Sequence, residues 1–114
     1  MRVNRDAYPF YNATVDGTAQ QASSTPCYLE AVYVVNSDAD SRYLQIFNLP
    51  FASITVGTTV PTLVLPILSS ASAKLEIPGG VFMSGGLSFA CTMTPGGATG
   101  VKFDAMVSAV YSVL

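Results

Sequence analysis

The chain has 114 residues, half of them hydrophobic and only 11% charged, with a formal charge of −2 and neither His nor Trp. That length fits one domain, residues 1–114, with a core of its own, and five scattered basic residues exclude a phosphate-binding surface, so no nucleic-acid partner is expected. The missing histidine removes the commonest general base and metal ligand, while a mean hydropathy of +0.44 leaves apolar surface on the outside that calls for a partner.

Taken in chain order, residues 8–15 are aromatic and β-branched and predict a first strand, closed by the Asp16-Gly17 turn. Residues 18–25 are small and polar and read as a loop. Residues 28–36 are the most strand-like segment, with Leu29, Ala31, Tyr33 and Val35 on one face and Tyr28, Glu30, Val32 and Val34 on the other. The two faces are almost equally apolar, the pattern of a strand buried on both sides or standing at an interface.

A polar turn over 37–41 leads to a return strand at 42–48, so 28–48 predicts a β-hairpin. Residues 49–59 form a long connection suited to a crossover between sheets. The next strand, 62–68, contains Pro66, which has no N–H to give to a ladder and therefore marks an edge or a bulge. After a turn at 69–72 and a short strand at 73–77, Pro78-Gly79-Gly80 breaks the chain. Residues 87–93 predict a strand with Leu87, Phe89, Cys91 and Met93 on one face. Pro95-Gly96-Gly97 predicts a flexible loop, and residues 103–113 a last strand interrupted near Ser108. Seven or eight short strands with evenly spaced turns predict an all-β, single-domain antiparallel β-sandwich of jelly-roll-like type.

Candidate chemistry is sparse. Asp38 and Asp40 share a turn, but two carboxylates with no third acidic neighbour read as turn residues, and no metal site is expected. Glu30, Glu76, Asp16 and Asp104 would serve glycoside hydrolysis only if the fold brought two of them together in a cleft. Ser24, Ser41, Ser84 and Ser88 have no partner base. The glycine pairs match neither the dinucleotide nor the phosphate-loop pattern. The chain therefore reads as a non-enzyme without catalytic residues or cofactors.

Cys27 and Cys91 read as buried small hydrophobes, with a bridge left open for an oxidising compartment. The longest apolar run, residues 60–68, is broken by Pro61 and Pro66 and is too short to span a bilayer, so no membrane partner is expected. Among the aromatics, Tyr33 and Phe47 read as core. Tyr8, Phe10 and Tyr11 fit an interface as well as a core. With Arg2 and Arg5 they compose a candidate interface on an N-terminal arm, residues 1–11, that reaches a neighbouring molecule.

The middle of the chain also carries a resemblance. An apolar strand ending in Asn36 is followed by a short polar turn, then Arg42-Tyr43-Leu44-Gln45 with Phe47-Asn48. A loop runs to Val60-Pro61, then come Leu63-Val64-Leu65-Pro66, Pro78-Gly79-Gly80, Phe82, Ser84-Gly85-Gly86-Leu87 and a Thr94-Pro95-Gly96 turn. This order, over residues 28–95, resembles small virion proteins of tailed double-stranded DNA phages. Such proteins are similar to capsid cement or decoration proteins and to small tail or fibre components. The resemblance implies a non-enzymatic β-sandwich, assembled in the host cytoplasm and located in the virion. It also implies binding to the major capsid protein or other virion proteins, as a homo-oligomer for which a trimer is one expected form. It assigns no individual functional residue, and residues 1–27 and 96–114 lie outside it.

Overall fold

Strands dominate the molecule because β-branched and aromatic residues recur in short runs between turn formers. The computed structural model describes residues 6–37, 39–95, 97 and 105–113. Among these, β1 (Asp6–Val15), β2 (Gln20–Ser23), β3 (Cys27–Asn36), β4 (Arg42–Phe47), β5 (Leu63–Ile67), β6 (Ala71–Met83), β7 (Leu87–Thr92) and β8 (Ala105–Val113) follow in order, with a 3-10 turn at Phe51–Ser53. They form two antiparallel four-stranded sheets, β1-β8-β3-β6 and β2-β7-β4-β5.

The ladders pair β1 with β8, β2 with β7, β3 with β6 and β4 with β5, as in one long hairpin whose two arms run side by side. Rolling that hairpin up adds the β3–β8 and β4–β7 ladders and divides the strands between two layers. The result is a jelly-roll sandwich, the architecture expected from the spacing of the strands.

The layers close on each other through one face of each strand. Leu29, Val32 and Val34 of β3, with Val107 and Ala109 of β8, share a buried cluster with Leu44 and Ile46 of β4 and Leu87, Phe89 and Cys91 of β7. Burying a Leu, Ile, Val or Phe side chain contributes about 1.5–3 kcal/mol, so this layer is the main force holding the sheets together. Two links cross the sandwich toward the β1–β2 side. The Phe10 and Phe89 rings lie 5.1 Å apart, and the Tyr111 hydroxyl donates to the Ala22 carbonyl at 3.0 Å.

Several sequence expectations need correction. Part of the 18–25 segment is strand β2, a short edge strand in which Ala22 packs on the core, Ser23 is buried, and Gln20 and Gln21 bond to Asn12 and Phe51. β3 and β4 do not pair as a hairpin; the 37–41 turn carries the chain from one sheet to the other. The connection after β4 returns to β5, its neighbour in the same sheet, and so is not a crossover. β8 runs through Ser108 without interruption. β5 does lie at an edge, as Pro66 requires.

Pro78-Gly79-Gly80 does not end a strand either. β6 spans 13 residues, and residues 77–80 bulge out opposite the single residue Glu30 of β3. Gly80 makes this close approach feasible. Its φ is +80°, and a Cβ there would stand 2.9 Å from the Tyr28 Cβ.

Candidate interaction surface

The two outer faces of the sandwich differ. The outside of β2-β7-β4-β5 is covered by its own chain over β7 and β4, while Val64 and Pro66 of β5 stay exposed. The Ser88 hydroxyl donates to the Leu49 carbonyl at 2.9 Å, and the Gln21 Oε1 accepts from the Phe51 backbone N–H at 3.1 Å. These bonds draw residues 49–51 toward β7 and β2, and Phe47 is only 1% exposed. Farther along, Gln45 Nε2 donates to the Thr92 hydroxyl at 2.7 Å and to the Gly97 carbonyl at 3.0 Å. The Thr92 hydroxyl in turn donates to the Thr94 carbonyl at 2.8 Å. Gln45, Ala90 and Thr92 are therefore buried although they point away from the core.

The outside of β1-β8-β3-β6 has no such cover among the described residues. Its ladders align side chains in rows: Pro9, Val110, Ala31 and Glu76 in one, and Tyr11, Ser108, Tyr33 and Lys74 in the next. Val35 and Met106 continue the face in one direction, Ala7, Tyr28 and Phe82 in the other. Tyr11 is 65% exposed and Tyr33 and Val110 are each 41% exposed. Among the described side chains of this face, charge lies on the β6 side, where Lys74 Nζ pairs with Glu76 Oε1 at 3.0 Å and Glu30 is half-buried at the bulge.

Two depressions mark this surface. A hollow of about 500 Å³ is lined by Tyr33, Val35, Asn36, Ser37, Ser70, Ala71 and Ser72. A smaller notch of about 410 Å³ is formed by Thr25, Pro26, Tyr28, Phe82 and Val113, with the Tyr28 and Phe82 rings 5.1 Å apart.

The edges of the sheets are less inviting. β1 carries Pro9, β5 carries Pro66 and β6 carries Pro78, and β2 has four residues. Proline and brevity on edge strands both oppose addition of a foreign strand.

The candidate interface residues divide. Arg2 and Arg5 lie outside the described residues. Tyr8, Phe10 and Tyr11 belong to β1, which pairs along β8 from Asp6 onward. Phe10 turns inward onto Phe89, Tyr8 stacks on Tyr111 with ring centroids 5.8 Å apart, and Tyr11 stands on the open face. Tyr33 corrects an expectation: it is not core but lies in the middle of that face. The cause is the extra residue Glu30 in β3, which shifts the alternation so that Leu29, Val32 and Val34 all point inward. Phe47 is buried as expected, but on the outer side of its sheet beside Ser88 and not between the sheets. Val110, Met106 and Phe82 carried no separate signal in the sequence, since only the register brings them beside Tyr33.

Cys27 and Cys91 are free and buried. Burial raises the Cys91 thiol to about 11, only partly offset by the Arg42 charge, and raises Cys27 as well. Both thiols are therefore protonated and unreactive near neutrality. Asp38 lies outside the described residues. Asp16 serves its turn, its Oδ1 accepting from the Thr18 N–H at 2.8 Å. Among the described residues no cluster of three or more His, Cys, Asp or Glu is placed to hold a metal ion, and no helix is long and apolar enough to cross a membrane. No family model, no curated protein and no solved structure matches this chain.

Proposed function

We propose that this chain is a non-enzymatic structural subunit of a phage particle, acting as a capsid cement or decoration protein that bridges major coat subunits. The observation that carries the reading is the apolar face of β1-β8-β3-β6, uncovered among the described residues, on a sandwich whose other face is covered over β7 and β4 by its own chain. A face of this kind is made for association. The resemblance over residues 28–95 to small phage virion proteins supports the particle setting. With three edges carrying proline, binding proceeds by burial of the face rather than by strand addition. Repeated over a lattice, modest contacts sum to a strong hold.

Co-sedimentation with purified particles tests this. The wild-type chain is expected to pellet with them, and failure of the intact chain to do so would overturn the cement role. A tail or fibre component with a glycan-binding role is the second reading, favoured by the Tyr28–Phe82 notch, where two aromatic rings and Pro26 offer a stacking surface. Binding on a glycan array that is lost in Tyr28→Ala would support it, and silence on a broad array would remove it.

A further inference from the structure

We propose that the uncovered face of β1-β8-β3-β6 is closed by the same face of a second copy of this chain, giving a two-fold dimer. The proposal rests on the structural-subunit reading and names the partner of its surface.

Size is the first reason. Four strands about 4.8 Å apart, each showing about seven residues at about 3.3 Å rise, present roughly 450 Å² in projection per copy. Two such faces bury roughly 900 Å² before side-chain relief is added, which reaches the ~1,000 Å² needed for a specific interface.

Shape and charge are the second. A two-fold axis running along the strands, between β8 and β3, lays the β1 border of each copy over the β6 border of the other. The register places the protruding Tyr11 in the row of Tyr33 and Lys74, and the hollow lined by Tyr33, Val35 and Ser72 adjoins that row on the β6 side. Each Tyr11 thus meets the other copy's hollow. Lys74, Glu76 and Glu30 come to lie over the β1 border, where Ala7, Pro9 and Tyr11 carry no charge, so like charges do not meet. Pairing this way leaves the two β2-β7-β4-β5 faces pointing in opposite directions, with exposed Phe51 and Val64 on each. A body with two equal, opposed ends is suited to bridging two coat subunits.

Sedimentation equilibrium of the full chain from 1 to 100 μM tests the proposal. A monomer–dimer equilibrium is expected. Tyr33→Asp and Val110→Lys should each weaken it at least tenfold, and Tyr11→Ala, a change at a largely exposed side chain, should weaken it without threatening the fold. Val60→Lys, which removes an exposed apolar residue of the β4–β5 connection, away from this face, should leave it unchanged. A chain that stays monomeric at 100 μM, or a dimer indifferent to all three face substitutions, overturns the proposal. If a monomeric chain still pellets with particles and Tyr33→Asp abolishes that, the face belongs to a coat protein: the dimer falls and the structural-subunit reading stands. A face-dependent dimer that ignores particles gives the reverse.

Discussion

The Phe10 ring of β1 lies 5.1 Å from the Phe89 ring of β7, across the two sheets. This contact makes β1 part of the sandwich, with a ladder to β8 that begins at Asp6. Removing residues 1–11 would therefore strip half an edge strand and one ring of the core. Removing residues 1–5 should leave the melting temperature within a few degrees of the full chain. Phe10→Ala should cost about 2 kcal/mol, below the range for a fully buried ring because Phe10 is only half-buried. Urea denaturation of both variants measures this, and an unchanged midpoint for Phe10→Ala would show that the ring contact contributes nothing.

Gln45 and Thr92 hold the cover of the opposite face. Thr92→Val removes the acceptor of the Gln45 Nε2 proton and the donor to Thr94. Stranding a buried amide donor typically costs about 1–3 kcal/mol, and that loss is expected here. Gln45 Oε1 is already buried without a hydrogen-bond partner among the described residues, so adding Gln45→Met to Thr92→Val should recover part of the loss. A double-mutant cycle by chemical denaturation decides it; strictly additive losses would mean that the two side chains act independently.

The bulge in β6 can be probed at its glycines. Gly79 and Gly80 have φ of +81° and +80°, but a Cβ on Gly79 meets nothing within 4 Å, whereas one on Gly80 strikes the Tyr28 Cβ at 2.9 Å. Gly79→Ala should cost about 1–2 kcal/mol, the price of a left-handed backbone. Gly80→Ala should cost more, because Tyr28 must move as well. Equal losses from the two substitutions would show that Tyr28 yields freely.

Much of this architecture was legible in the sequence, for physical reasons. β3 and β4 are rich in Val, Leu, Ile and aromatic residues, β7 and β8 carry apolar residues interspersed with Ser and Ala, and Pro66 marked an edge or a bulge, of which the fold shows the edge. What stayed hidden depends on pairing. Period-two alternation assigns Tyr33 to the same face as Leu29, and only the extra residue Glu30 in β3 separates them. The connection after β4 reads like any long loop until Leu49 and Phe51 are found bonded to Ser88 and Gln21. The open face had one advance signal, the nearly equal apolarity of both sides of residues 28–36.

The thiols give a pH prediction. Cys27, Cys91 and Tyr111 all have folded-state values raised by burial. A raised value means that the folded state holds its proton longer than the unfolded chain does. The resulting stability is complete below the ordinary thiol range and is lost as pH climbs toward about 11, the value for Cys91. Melting temperature should therefore fall between pH 9 and 11, and less steeply in Cys91→Ala. At pH 8 a thiol reagent should find no reactive cysteine in the native chain and both after unfolding; prompt labelling of the native chain would contradict the burial.

Copy number measures most directly the proposed role of this chain as a repeated structural subunit of a particle. Quantitative mass spectrometry of purified phage particles, scaled to the major coat protein, should give a ratio near that of the coat lattice, as a cement protein requires. A ratio of a few per cent or less, or absence from the particles, would contradict it.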